Sequence, residues 1–162
     1  MTRTKIQRLT VDEVARFRAI RLRALRDAPF AFGTTFEEAG TWPLEVWSKL
    51  FSGLVAFVAV VGGYDVGLVR SAPERGVNDA ARLGSLWVAP QARGEGVGAS
   101  LIDAVVEWAR SKGFVELLLD VSDDNVSAIA LYDLKGFGPT GEVGTLPPPR
   151  EHLCRHQRKL KL

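Results

Sequence analysis

The chain has 162 residues, which favours one domain spanning 1–162, and its 46% hydrophobic and 25% charged residues exclude disordered and collagen-like classes. A single cysteine excludes an intrachain disulfide framework, and no apolar run approaches the roughly 20 residues of a membrane span. Net charge is +2, with the basic excess at the two ends, in residues 1–26 and 150–162. These basic residues lack interleaved aromatics, so we expect solvated faces and no nucleic-acid partner.

Periodicity and turn residues predict an α/β fold with a mixed central sheet of about six to seven strands flanked by about four helices. Gly136 to Pro149 is predicted to be a loop, because Pro147 to Pro149 block both helix and strand pairing. The predicted elements are a strand at 5–9, a helix from 10 to about 27, a helix at 43–51, strands at 54–61, 65–70 and 82–88, a helix at 97–111, a strand at 115–121, a helix at 126–135 and a last strand at 152–159.

Two arginines fall on the apolar stripe of the first predicted helix. Arg18 and Arg21 share that stripe with Phe17 by the 3.6-residue period. We expect their stems to lie along apolar surface with the head groups in water. Alternatively, one head group meets an acidic partner or the carboxylate of an acceptor.

Three glycines stand at the junction between a predicted strand and a helix. Gly94, Gly96 and Gly98 alternate where the strand ends and the helix at 97–111 begins. Amides at a helix start have no intrahelical partner and lie at the positive end of the helix dipole, so they favour a phosphate or pyrophosphate. No P-loop lysine follows, and the spacing differs from the dinucleotide fingerprint. A tight turn without a ligand is the alternative.

The glycine turn resembles a known family signature. The segment Gln91 to Gly96 is similar to the Gln/Arg-x-x-Gly-x-Gly/Ala signature of the GNAT superfamily of N-acetyltransferases, and Leu119 to Phe137 matches the family's later strand and helix. The two motifs cover about residues 82–140. The resemblance implies a GNAT-like fold and direct transfer of the acetyl group of acetyl-CoA to a primary amine on a small molecule or protein, without a metal. Dimerisation is common in that family, so a homodimer is one assembly that it allows.

The resemblance also implies which residues hold the cofactor. The strand at 82–88 is expected to splay from its neighbour and bond pantetheine through Val88, while backbone amides after Arg93 bind the pyrophosphate. Asn125, whose alternative role is a helix cap, is expected to contact the cofactor. The implied cofactor-binding set is Val88, Arg93, Gly94, Glu95, Gly96, Val97, Gly98, Ala99 and Asn125.

Catalytic candidates follow from the resemblance and from the need to deprotonate an amine. Tyr132 is expected beside the cofactor sulfur as general acid; a packed aromatic is the alternative. The strand at 82–88 lacks the glutamate that some family members use, so Asp120 and Glu37 are the candidate bases, with water relayed through Ser85 as another route. The alternative for Asp120 is a solvent-facing or edge-paired carboxylate. Glu37 is expected in the loop between the first two helices, and its alternative is a residue of a solvated loop.

Two other functions stay open at this point. The missing strand carboxylate supports a non-catalytic acyl-CoA-binding module, and the basic termini support an interaction domain. No secretory leader is evident at the N-terminus, so the cytoplasm is the expected location, and no membrane partner is expected.

Overall fold

The computed structural model describes residues 3–162 and confirms the α/β class with a mixed sheet. Seven strands lie in the order β1-β2-β3-β4-β5-β7-β6, and only the β4–β5 pair is parallel. The strands are β1 Lys5–Arg8, β2 Val55–Val61, β3 Tyr64–Pro73, β4 Ala80–Val88, β5 Glu116–Ser122, β6 Gly138–Thr145 and β7 Cys154–Lys161. The α-helices are α1 Val14–Asp27, α2 Phe36–Gly40, α3 Leu44–Ser52, α4 Val97–Ser111 and α5 Val126–Leu134.

Helices α1 and α4 cover opposite faces of the sheet. Trp87 donates from Nε1 to Asp27 at the end of α1, whereas the next residue, Val88, lies against Gly98 of α4. Successive strand residues point to opposite faces, so the two helices flank β4 from both sides. On the α1 face, Phe17 packs edge-on against Trp47 of α3 and joins the buried core.

The sheet opens between β4 and β5. These strands pair only over Ala80–Arg82 and Glu116–Leu118, although β4 runs on to Val88 and β5 to Ser122. The register of β4 against β3 shifts at the same level, where Ser85 has a φ of 55°. A bulge of this kind bends a strand and leaves its pairing interrupted. The backbone of the second half of β4 therefore borders a gap.

Two regions predicted to be loops contain regular structure. Strand β6 lies inside the stretch from Gly136 to Pro149, and Pro139 is tolerated there because β6 is an edge strand paired only with β7. Its positions are mostly exposed, so no apolar alternation marks it. Glu37 lies not in a loop but in the short helix α2, where Thr35 and Glu38 form a capping box.

Candidate functional site

A cleft of about 680 Å³ opens where β4 and β5 separate. It is bounded by the end of β4, the start of α4, one side of α5 and the segment after α1. The residues that line it are Asp27, Ala28, Pro29, Phe30, Ala31, Leu86, Trp87, Val88, Ala92, Arg93, Gly94, Gly96, Val97, Gly98, Ala99, Ser122, Asp124, Asn125, Ser127, Ala128, Leu131 and Leu134.

The start of α4 presents backbone donors to this cleft. Gly96 caps the helix in the left-handed region, with a φ of 78°, and has no side chain to satisfy the first amides. The amide of Ser100 bonds back to the Gly96 carbonyl at 3.1 Å, so the preceding N–H groups belong to the open first turn. Gly98 permits close packing, because a Cβ there would lie 2.8 Å from Leu131. Open amides in a helix start of this kind are a favourable place for an anion.

An unpartnered hydroxyl lies on the opposite wall of the cleft. Ser122 ends β5, and its Oγ is buried with no hydrogen-bond partner among residues 3–162. A buried polar group without a partner costs free energy, on the order of 1–3 kcal/mol. A ligand with polar groups between β4 and β5 would remove that cost, and the elongated amide chain of pantetheine has such groups.

The side chain of Arg93 bonds to the backbone of Val88, which the resemblance assigned to pantetheine. Its Nε donates to the carbonyl oxygen of Val88 at 2.9 Å, and its Nη2 donates to Asp27 at 2.6 Å. Trp87 shares the same carboxylate oxygen. The Arg93 side chain is about half exposed, so it can move away. A ligand that bonds the Val88 carbonyl must displace it.

Asn125 lies in the cleft and also caps α5. Its Oδ1 accepts from the Ala128 amide at 3.4 Å, so the cap is Asn125 itself rather than Asp123 or Asp124. The two N–H groups of its amide are not used by this cap. These two N–H groups can therefore donate to acceptor atoms of a ligand in the cleft.

Most of the expected cofactor set is brought together. Eight of the nine residues line the cleft; Glu95 is exposed and lies outside the lining.

Tyr132 is more enclosed than the expected role suggested. Only 5% of it is exposed, it does not line the cleft, and its ring packs edge-on against Phe137. Its neighbour Leu131 does line the cleft. Burial raises the pKa of the Tyr132 hydroxyl above its ordinary value, so the group keeps its proton at neutral pH. The structure shows the packing contact, whereas the acid role requires the hydroxyl to reach the cleft.

The two candidate bases lie apart from each other. Asp120 accepts from Arg82 at 2.7 Å in an ion pair that also includes Glu74, and its side chain is 32% exposed. Glu37 is exposed on α2. Neither lines the cleft.

One polar cluster was not assigned from the sequence. Arg21 is buried, and its Nη1 donates to the hydroxyl of Ser85. The Nε of Arg70 donates to the same oxygen at 2.8 Å. The expectation that the Arg21 head group lies in water is therefore wrong. The only sequence signal was its position on the apolar stripe of α1.

A second arginine ties two loops together. Arg150, before β7, donates to the carbonyls of Pro29 and Phe32, each at 2.7 Å, and to that of Gly33 at 2.8 Å. No sequence pattern indicated this contact, because the partners are backbone atoms more than one hundred residues away. It holds the segment that borders the cleft.

No helix of residues 3–162 is both long and apolar enough to cross a membrane. Over the same range, His, Cys, Asp and Glu side chains do not gather in groups of three or more suited to a metal ion.

The sequence matches a known protein family. A family model described as the Acetyltransferase (GNAT) family matches residues 18–138, which is most of the chain. The chain belongs to this family.

Individual relatives agree with this assignment. The chain is 35% identical over 93 residues to a mouse protein named "Probable N-acetyltransferase family 8 member 5", a match that covers 56% of this chain and 41% of the relative. The chain spans less than half the length of the curated relatives it matches.

Solved structures share the fold. A GNAT-family acetyltransferase from Streptococcus pneumoniae superposes with a TM-score of 0.83 at 17% identity, covering 99% of both chains. The structure of yncA from Salmonella typhimurium, described as a putative acetyltransferase with acetyl-CoA, has a TM-score of 0.78 at 19% identity and covers 99% of this chain and 94% of that one. At these identities the likeness establishes the fold.

Proposed function

We propose that the chain is an N-acetyltransferase that moves the acetyl group of acetyl-CoA directly to a primary amine on a small molecule or a protein. The observation that carries the proposal is the cleft at the β4–β5 gap, with the open amides of α4 at one end. Family membership supports the same chemistry.

Acetyl-CoA would lie across the cleft as an extended ligand. Its pyrophosphate would take the amides after Arg93, where the helix dipole favours negative charge. Pantetheine would run along β4, bonding Val88 after Arg93 releases its carbonyl, and would offer acceptors to Asn125 and the unpartnered Ser122 hydroxyl. These contacts would direct the thioester into the gap between the two strands.

The reaction would depend mainly on positioning the amine against the thioester. The neutral amine nitrogen attacks the carbonyl carbon, and backbone donors stabilise the oxyanion that forms. When the carbon–sulfur bond breaks, the thiolate takes a proton from the Tyr132 hydroxyl, which must turn away from its packing against Phe137 to reach the sulfur. The products are the acetamide and CoA with a free thiol.

Removal of the amine proton is assigned to Asp120, through water, in preference to Glu37. Asp120 follows Leu118, the last residue of β5 that pairs with β4, by two positions, so it projects to the same sheet face as Leu118. Arg82 holds it there. Glu37 is exposed on a separate short helix, and like Asp120 it does not line the cleft, so the preference rests on the place of Asp120 on β5 beside the gap.

The experiment is a pair of measurements on the intact protein. Isothermal calorimetry with acetyl-CoA, and with CoA as control, tests binding. A thiol reagent then records CoA release with a panel of amines. Saturable binding with amine-dependent release is the expected result. Absence of heat with either ligand would contradict the site. Binding without release for every amine would overturn the enzyme proposal in favour of an acyl-CoA-binding module.

A further inference from the structure

We propose that the amine acceptor carries a carboxylate, which binds at Arg70, Arg21 and Ser85 on the α1 face of the β4–β5 gap. The inference rests on the proposed function, since it names the acceptor class of that site. It arises from three side chains that come from α1, β3 and the bulge in β4.

The cluster contains two cations but no anion. Arg21 and Arg70 both donate to the one Ser85 hydroxyl, and neither forms an ion pair within residues 3–162. The carboxylates of Asp120 and Asp27 are paired with other arginines, Arg82 and Arg93. A buried arginine beside a half-buried one, without a counter-ion, is costly, which indicates a missing partner.

The cluster offers donors and almost no acceptors. A serine hydroxyl has two acceptor positions and one donor, and the two guanidinium groups occupy both acceptor positions. The hydroxyl proton and most guanidinium N–H groups stay available, and Nε of Arg21 is buried without a partner. Such a set selects an oxyanion, because a carboxylate accepts several hydrogen bonds and donates none.

Burial adds to the attraction for an anion. Only 4% of Arg21 is exposed, and Phe32 lies under its guanidinium at 5.9 Å. Burial, with the neighbouring charge of Arg70, lowers the pKa of Arg21 to about 9, so it is still charged at neutral pH. Arg70 and Ser85 are half-buried, and Ser85 directly precedes Leu86, which lines the cleft.

The position of the cluster suits a part of the acceptor rather than the cofactor. Ser85 precedes Val88 by three residues, about 10 Å along a strand, and the residues between them line the cleft. An acceptor with its carboxylate at Ser85 would extend its amine toward the thioester. The two cations would also disfavour the ammonium form of that amine, which helps to supply the neutral nucleophile.

The test compares acceptors that differ only in the anionic group. Linear amino acids from glycine to aminohexanoate are assayed against their primary amides and against aminoalkyl phosphates of matched length. For the best chain length, we expect kcat/KM for the acid to exceed that of the amide by about 10- to 100-fold, the worth of hydrogen bonds to a charged group. Arg70→Met should bring the ratio near one, and Arg75→Met, at an exposed arginine, should leave it unchanged.

Binding measurements separate this inference from the enzyme proposal. The N-acetylated acid and its amide, titrated with CoA present, require no turnover. Preferential binding of the acid that Arg70→Met abolishes supports the carboxylate site, even if no amine is acetylated. Equal binding and equal kcat/KM for acid and amide overturn it while leaving acetyl transfer intact. A preference for the phosphates, or one that survives in Arg70→Met, also overturns it. Acetyl-CoA affinity and the unfolding midpoint verify folding, and Ser85→Ala is used if Arg70→Met does not fold.

Discussion

The two ends of the proposed site are built in different ways. The cofactor end uses main-chain amides from one short segment, Gly94 to Ala99, whose conformation depends on local glycines. The acceptor end uses side chains from α1, β3 and β4, brought together by the sheet and its bulge. A backbone site is robust to substitution of side chains but sensitive to the conformation of a few residues. A side-chain site can change its ligand through a single substitution.

The largest expected effect concerns the chemical step between these two ends. Tyr132→Phe removes the hydroxyl that would protonate the leaving thiolate, so kcat should fall about 100-fold. The Kd for acetyl-CoA should change little, because Tyr132 does not line the cleft. Steady-state kinetics with calorimetry measures both. An unchanged kcat would assign Tyr132 to packing against Phe137 alone.

The backbone character of the cofactor end is tested by its glycine cap. Gly96→Ala puts a Cβ on a residue with φ 78°, a strain of about 1–2 kcal/mol. We expect acetyl-CoA affinity to fall about tenfold, since each 1.4 kcal/mol is a factor of ten. Gly53→Ala is the control, because its φ is −95° and a Cβ would meet nothing within 4 Å. Equal affinities for the two variants would argue against a specific role for the α4 turn.

The acceptor end should depend on Arg150, which is distant from it in the sequence. Arg150→Ala removes three hydrogen bonds to the segment Pro29–Gly33 and should lower the free energy of unfolding by roughly 1–2 kcal/mol. Chemical denaturation measures this loss. We expect KM for the acceptor to rise more than KM for acetyl-CoA. The opposite order would place this segment with the cofactor end.

The smallest expected effect concerns the ultraviolet absorbance of Tyr132 at high pH. The chain has two tyrosines, and Tyr64→Phe leaves only the buried Tyr132. Because the folded state raises the pKa of Tyr132, the folded state holds its proton above pH 10, where an unfolded chain releases it. Stability from this group is complete below pH 10 and is lost as pH rises further. Absorbance of tyrosinate at 295 nm should therefore stay flat past pH 10 until circular dichroism shows unfolding. Titration near pH 10 in folded protein would show that Tyr132 is solvated.

The sequence predicted most of the helices and strands because the patterns that mark them lie within a few neighbouring residues. Helix α4 was predicted with both of its bounds, since the glycine turn starts it and an apolar stripe runs through it. The strand β6 was missed, because an exposed edge strand with glycines and proline has no buried face to mark it. The sequence left the enclosure of Tyr132 open as an alternative for a related reason: burial is set by packing from elsewhere.

By itself, the sequence determined the glycine turn and the strand and helix around it, which is the place proposed for the pyrophosphate. It also showed that arginines, a serine and carboxylates were present as candidates, but not which of them meet. Only the tertiary structure decided that Arg21 and Arg70 meet at Ser85, that Arg93 holds the Val88 carbonyl, and that Asp120 pairs with Arg82. The physical reason is range. Backbone conformation at a turn depends on a few adjacent residues, whereas pairing of charges depends on how strands and helices distant in the chain pack together.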